Sequence, residues 1–304
     1  MTIGVVVNPA AGGGRLGQIW PTLAAALERA LGPLSVLSTS RPGEGRQLAE
    51  RHLRSGATLV ISAGGDGTAN EVVDGLLGAG GGPELGVISV GTGRDFVRTL
   101  GSSKDLEVAV AAIGSGRSRA IDAGRVTYRN DAGARETRHF LNVASIGVSG
   151  PTVRAVNAAK HGRPVHAKAA FYLHTIVELM RYRSQPVRVT FDDGETIEVT
   201  TALVVAANGR YFGGGMMVTP TAEIDDGLLD ALVYRAESKL RMVLDFNKIY
   251  RGVHTTLPRV TMKRCRGFTV EPLGEPLILE ADGESPGTIP ATFEVLPKAL
   301  TLRG

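Results

Sequence analysis

The octet Gly64-Gly65-Asp66-Gly67-Thr68-Ala69-Asn70-Glu71, set directly behind the β-rich run Thr58–Ser62, limits this chain more than any other stretch. Glycines in succession let a backbone come up against phosphate oxygens with no Cβ between them. A helix opening near Thr68 would aim its free N–H groups at the same anion. A carboxylate inside an anion-binding loop is costly unless a metal ion or a proton-accepting role calls for it. The alternative is a plain strand–turn–helix connection with Asp66 as a cap. Three glycines around one carboxylate favour the anion site.

The surroundings of that loop set the fold class. From Met1 to Asp122 the runs Ile3–Val7, Leu34–Leu37, Thr58–Ser62 and Leu85–Val90 read as strands, with helical patterns between them. Leu16, Ile19, Trp20, Leu23, Leu27 and Leu31 fall on one helical face, and Pro21 is tolerable if that helix begins near it. Strands alternating with helices predict an α/β domain with a parallel sheet covered on both faces. Ligands of such sheets bind at the carboxyl ends of the strands.

Beyond Asp122 the pattern changes. Arg125–Tyr128, His139–Ala144, Val187–Phe191, Glu198–Ala207, Leu228–Val233, Arg259–Met262, Gly267–Glu271, Leu277–Glu280 and Ala291–Leu296 read as strands without regular helices between them. That predicts an antiparallel β-sandwich or barrel. Helical interludes are expected at Ala167–Arg183 and Lys239–Tyr250. A length of 304 residues suits two domains, each with its own core. The expected division is 1–122 and 123–304, with the last few residues allowed to return to the first domain. The active site is expected in the cleft between them.

Composition excludes several classes. With 43% hydrophobic and 21% charged residues the chain reads as globular. The single Cys265 rules out an intramolecular disulfide and fits a reducing compartment. No apolar stretch reaches the roughly 20 residues of a bilayer-spanning helix. Met1–Pro9 lacks the flank and apolar run of a signal peptide and reads as a first strand. A cytoplasmic location is therefore expected. The net charge of +4 suits an anionic partner, yet no run of like charge singles out nucleic acid, which is not expected here. His161 and His166 have no ligand partners nearby in sequence and read as surface residues.

Two further loops occupy places like that of the octet. Asn8-Pro9-Ala10-Ala11-Gly12-Gly13-Gly14-Arg15 follows the first strand, and Gly91-Thr92-Gly93-Arg94-Asp95-Phe96 follows Leu85–Val90. A dinucleotide fold would also place glycines after its first strand. Here Gly12, Gly14 and Gly17 come five residues late, and Leu34–Leu37 runs into Ser38-Thr39-Ser40 rather than an acidic residue, which weakens an oxidoreductase reading.

Taken together, these motifs resemble the diacylglycerol kinase and sphingosine kinase superfamily, and within it the bacterial diacylglycerol-kinase-like lipid kinases. The likeness continues through Phe140-Leu141-Asn142-Val143-Ala144-Ser145-Ile146-Gly147, Asn208-Gly209, Gly213-Gly214-Gly215-Met216, Pro220, Asp225-Asp226-Gly227-Leu228-Leu229-Asp230 and Asp282-Gly283-Glu284. Gly-Gly-Asp-Gly alone would be shared with NAD kinases and phosphofructokinases; the later motifs separate this chain from them. The resemblance implies an NAD-kinase-like first domain and a β-sandwich second domain.

It also implies roles. Asn8, Gly12, Arg15, Thr39, Gly64, Gly65, Asp66, Gly67, Thr68, Ala69, Asn70, Glu71 and Thr92 match ATP-binding positions. Asp66 resembles the carboxylate serving the magnesium of ATP, with Asp95 and Asp122 in support, partly through water. Three carboxylates at one sheet edge would repel each other unless a divalent cation joined them. Glu284 resembles the catalytic base, although Asp-Gly-Glu by itself is an ordinary hairpin turn. Glu223, Asp226 and Leu228 resemble a second, structural cation site. The family usually has Asn where Arg94 stands; an arginine there could meet ATP phosphate, an anionic acceptor or solvent.

The resulting expectation is ATP- and magnesium-dependent phosphorylation of a hydroxyl group on a lipid, diacylglycerol-like or sphingoid. The alternatives are an NAD-kinase-like enzyme with a soluble acceptor and a nucleotide-binding regulatory protein without turnover. The expected partners are a lipid substrate and, transiently, the anionic inner face of the membrane; a homodimer is compatible with the sequence. Arg154, Lys160, Arg163, Lys168, Arg181 and Arg183 are the candidate membrane contacts, around an apolar helix face with Phe171, Leu173 and Met180.

Overall fold

β1 (Ile3–Val7) is apolar and buried at every position, as a strand covered on both faces must be. It lies between β2 (Leu34–Ser38) and β3 (Leu59–Gly64), with Val5 opposite Val36 and Ile61, both pairings parallel. β4 (Glu84–Ser89) adds in parallel to β3. The helices are α1 (Arg15–Leu31), α2 (Glu44–Arg54), α3 (Asp66–Gly78), α4 (Asp95–Leu100) and α5 (Leu106–Gly114). Alternation along β1 sorts them onto two faces. Ile3, Val5 and Val7 share a core with Leu16, Leu23 and Leu27 of α1 and with Val110 and Ile113 of α5. On the other face Gly4 leaves room for the His52 ring of α2, to which a Cβ would come within 2.4 Å.

The computed structural model describes residues 2–91, 93–103, 105–160 and 167–304, with the backbone alone at 160 and 167–171. The chain divides into two compact units, Met1–Ala123 with Lys298–Gly304, and Gly124–Pro297. One difference from expectation falls in the first. α1 begins at Arg15, so Pro21 lies inside it rather than near its start. The helix starts early because loop carbonyls receive its first N–H groups: Pro9 O takes Gly17 N–H at 3.0 Å and Ala11 O takes Leu16 N–H at 3.2 Å. Pro21 itself is exposed.

The second unit is β-rich. Its elements in order are β5 (Ser118–Arg129, entering from the first unit), β6 (Arg135–Phe140), β7 (Val143–Gly147), α6 (Ser149–Lys160), α7 (Ala167–Arg181), β8 (Gln185–Phe191), β9 (Thr196–Ala207), β10 (Tyr211–Phe212), β11 (Met216–Met217), β12 (Leu229–Arg235), α8 (Lys239–Ile249), a short 3-10 turn at Val253–Thr256, β13 (Val260–Cys265), β14 (Gly267–Pro272), β15 (Ile278–Ala281) and β16 (Glu284–Arg303). Antiparallel pairings run β9–β7–β15–β16–β14–β8 and back to β9, so the strands close into a ring. The core within holds Val204 and Ala206 of β9 with Phe140, Phe268 and Phe293. Leu203, Val205 and Ala207 face the other way, into a second cluster with Leu179 of α7 and Met242 of α8. The end of β16 belongs to the first unit, where Thr301 and Leu302 pair in parallel with Glu84 and Leu85.

The expected strand 139–144 is broken in two, and α6 was not anticipated. The break has a cause: the Asp282 carboxylate accepts N–H groups from Leu141 at 2.6 Å, Asn142 at 3.1 Å and Val143 at 3.0 Å. Donors turned toward one carboxylate cannot also serve a strand ladder.

Candidate active site

Three loops leave the carboxyl ends of β1, β3 and β4. Gly12, Gly13 and Gly14 all have left-handed φ, of 64°, 71° and 88°. Successive N–H groups in such a run form a concave anion-binding surface. A Cβ at Gly12 would stand 2.8 Å from Val90 O. Asn8 Nδ2 donates to Thr68 Oγ1 at 3.1 Å, tying the first loop to the start of α3.

Asp66 is the first residue of α3, whose cap is Gly65. Its carboxylate does not cap its own helix. Oδ2 accepts Asp95 N–H at 3.1 Å and Oδ1 accepts Phe96 N–H at 3.2 Å, so it satisfies the first donors of α4. Asp95 is 5% exposed and is held by Arg98 at 2.9 Å. Both carboxylates border one bare glycine: a Cβ at Gly93 would come 2.8 Å from Asp66 Oδ2 and 3.8 Å from Asp95 Oδ2. Magnesium commonly takes one or two carboxylates plus substrate phosphates and waters, and this pair fits it.

The other expected residues are placed as follows. Thr68, Ala69 and Asn70 are buried at the start of α3, and Thr39 N–H donates to Val7 O at 2.8 Å just past β2. Arg15 is exposed at the start of α1. Thr92 lies outside the described residues. Glu71 is turned to α2, accepting the N–H groups of Gly43 at 2.9 Å and Gly45 at 2.8 Å. Asp122 is fully buried and accepts Lys298 N–H at 2.7 Å, which ties the returning chain end into the first unit. Among the described residues no three acidic, histidine or cysteine side chains are grouped to hold a metal. Of the expected trio, Asp66 and Asp95 border Gly93 together, and Asp122 is engaged by the Lys298 N–H. Arg94 adopts the left-handed region, φ 54°, ψ 38°, and its Nε donates to Gly91 O at 3.0 Å.

In the second unit Asp282 and Gly283 form the two-residue turn between β15 and β16, with φ of 44° and 89°. Positive φ at both positions is what a type I′ hairpin demands. The turn is held from several sides. Besides the grip of Asp282 on the β6–β7 break, Gly283 N–H donates to Glu280 Oε1 at 2.8 Å and Gly283 O accepts from Asn157 Nδ2 of α6 at 3.0 Å. Glu284, next along, is ion-paired through Oε2 with Arg138 of β6 at 2.5 Å.

Glu280 was missed by sequence reasoning; a carboxylate within an apolar strand was its only signal. It is 1% exposed, and burial pushes its carboxyl up to about 8, with Asp282 acting in the same sense against hydrogen bonds from Ser145 and Gly283. Ser145 Oγ meets both Glu280 Oε2 and Ser149 Oγ, the latter at 2.8 Å. One hydroxyl proton cannot serve two acceptors; a protonated Glu280 donating to Ser145, which donates on to Ser149, satisfies all three groups.

Ser149 leads to a feature with no local sequence signal. An apolar cavity lies over β9 and β12, beneath α6, α7 and α8. Its lining is mostly apolar, including Val148, Val153, Leu179, Leu203, Phe212 and Phe246. Asp245 also lines it, but is tied to Tyr234 Oη at 2.8 Å and to Arg259 at 2.6 Å.

At the structural cation site expected from Glu223, Asp226 and Leu228, a basic side chain stands against the Asp226 carboxylate. Asp226 Oδ1 accepts Leu228 N–H at 2.9 Å, and Oδ2 is ion-paired with Arg264, whose Nε is also 3.8 Å from Asp230. The guanidinium brings positive charge to the same carboxylate.

Known proteins agree with this architecture. The diacylglycerol kinase catalytic domain profile matches residues 2–126, and the YegS C-terminal NAD kinase beta sandwich-like domain profile matches residues 142–304. A diacylglycerol kinase of Mycobacterium tuberculosis is 31% identical over 259 residues, spanning 84% of this chain and 80% of the relative. One of Staphylococcus epidermidis is 27% identical over 289 residues, 95% and 87% of the two chains. The crystal structure of a diacylglycerol kinase from Bacillus anthracis superposes with a TM-score of 0.74 at 24% identity, over 99% of this chain and 96% of that one, and shares its fold. The glycine loops, the Asp-Gly-Glu turn and these matches have one reading: the chain belongs to the diacylglycerol kinase family of lipid kinases.

Proposed function

We propose that this chain transfers the terminal phosphoryl group of ATP to the hydroxyl of a diacylglycerol-class lipid. The observation that carries the lipid acceptor is the apolar cavity of the second unit, whose lining suits hydrocarbon and offers a soluble nucleotide few partners. The glycine run 12–14 and the start of α3 bind the phosphates of ATP, and Asp66 and Asp95 hold its magnesium. That ion, when bound, would supply positive charge against the negative charge that develops on the phosphate oxygens. Glu284 orients the acceptor hydroxyl and receives its proton, a role that needs a carboxylate within hydrogen-bond reach.

The lipid arrives from a membrane surface. Leu173 and Met180 of α7 and Leu240 and Leu244 of α8 are 62%, 53%, 70% and 63% exposed, on two of the three helices that roof the cavity. Arg181 and Arg183 are exposed nearby; Arg163 and the side chains of Lys160, Lys168 and Phe171 lie outside the described residues. Among the described residues no helix is long and apolar enough to cross a membrane.

The test is phosphoryl transfer from radiolabelled ATP to dispersed diacylglycerol, sphingosine, phosphatidylglycerol and NAD, each with magnesium. Labelled diacylglycerol, with NAD unlabelled, is expected. NAD labelled as readily as lipid would sink the lipid reading.

A further inference from the structure

The residue that faces Glu284 is Arg138, and neither its sequence neighbourhood nor the motifs point to it. It lies on β6, 146 residues away along the chain, and its Nη1 donates to Glu284 Oε2 at 2.5 Å. Both side chains are about one-third exposed, 32% and 36%, so neither is immobilised by burial. What fixes Glu284 is this contact together with the turn it follows. The Gly283 peptide is gripped at its N–H by Glu280 and at its oxygen by Asn157, and Asp282 is anchored by three N–H groups. Among the described residues Oε1 of Glu284 makes no hydrogen bond, while Oε2 is occupied by the guanidinium.

We propose that Arg138 is a positioning residue for phosphoryl transfer: it anchors Oε2 of Glu284 so that Oε1 is presented to the acceptor hydroxyl. This rests on the assignment of Glu284 as base. A carboxylate left to rotate about its own side-chain bonds spends most of its time out of line, and small displacements of a reacting group are expensive in rate. A guanidinium suits the task because it is planar, always charged and directional. The strand itself is well placed for it. Arg138 is paired across β5 with Val126, and its neighbour on the same face, Glu136, is engaged by the buried Tyr128 hydroxyl at 3.0 Å. The arginine therefore projects from a braced edge.

A double-mutant cycle reads the inference directly. Arg138→Met, Arg138→Lys, Glu284→Gln and Arg138→Met/Glu284→Gln are assayed with saturating ATP and dispersed diacylglycerol. Each is checked for an unaltered melting transition. Arg138→Met should lower kcat about tenfold or more with KM for ATP close to wild type, and Arg138→Lys should recover part of the loss. In the Glu284→Gln background the same Arg138→Met change should alter kcat less than about twofold, because no carboxylate remains to position. If Arg138→Met costs as much in that background as in the wild type, or costs nothing in the wild type, the positioning role is overturned. If Glu284→Gln alone retains turnover, the base assignment falls and takes this role with it. Should Arg138→Met fail to fold, Arg138→Gln in both backgrounds carries the same comparison.

Discussion

At Gly93 one methyl group is enough to disturb the phosphate edge. A Cβ added there would stand 2.8 Å from Asp66 Oδ2 and 3.8 Å from Asp95 Oδ2. Gly93→Ala should therefore lower turnover about ten- to hundredfold while leaving the melting temperature near that of the wild type. Equal activity in the two forms would show that the Asp66–Asp95 pair is not the metal edge. Glu280 makes a different residue-level prediction. Its folded value of about 8 lies above the ordinary 4.5. Between those values the folded protein keeps a proton that the unfolded chain has released, so this group's contribution to stability is full below pH 4.5 and is lost as pH rises toward 8. Gln mimics the protonated acid. The melting temperature of Glu280→Gln, relative to wild type, should improve from pH 5 to pH 8; a constant difference would mean that Glu280 is not the buried acid described.

At the scale of elements, the pairing of β12 with β13 sets Asp230 opposite Arg264 and brings that arginine to Asp226 in the preceding turn. The family resemblance points to a metal in this turn, and the structure places a guanidinium beside the same carboxylate. Chelator should then leave the melting temperature unchanged. Arg264→Met should lower stability by about 1 kcal/mol, no more, since the guanidinium is half exposed and screened by solvent. A chelator-dependent melting temperature in the wild type would restore the metal. The same scale shows where local reading fails. The stretch 139–144 has an unbroken strand pattern, yet it splits because Asp282, far along the chain, draws three of its N–H groups aside. α6 escaped notice because Ser149, Gly150 and Pro151 at its start are not strong helix formers. Its Asn157 and Arg154 side chains reach Gly283 O and Ser285 Oγ at the β15–β16 turn.

For the whole molecule, a net charge of +4 and the exposed leucines of α7 and α8 make the expected association with membranes partly electrostatic. Each basic residue near an anionic leaflet contributes about 1 kcal/mol, and salt weakens that share. Sedimentation with vesicles should rise with anionic lipid content and fall with ionic strength. Leu240→Ser with Leu244→Ser should remove the remainder that survives high salt. Absence of binding to anionic vesicles at low salt would refute the docking face.

By itself the sequence determined what is encoded over a few residues: the alternation that makes the first unit α/β, the strand-rich second unit, and the glycine runs that must turn tightly behind β1 and β3. These follow from periodicity and from the absence of a Cβ, which need no distant partner. Tertiary structure alone decided how the charged groups are used. Asp66 serves α4 rather than its own helix, Glu71 serves α2, Arg264 pairs with Asp226, and Arg138 faces Glu284 across 146 residues of chain. A carboxylate is satisfied by whichever donor the fold brings within about 3 Å, and that distance is set only when strands far apart in sequence come to lie side by side.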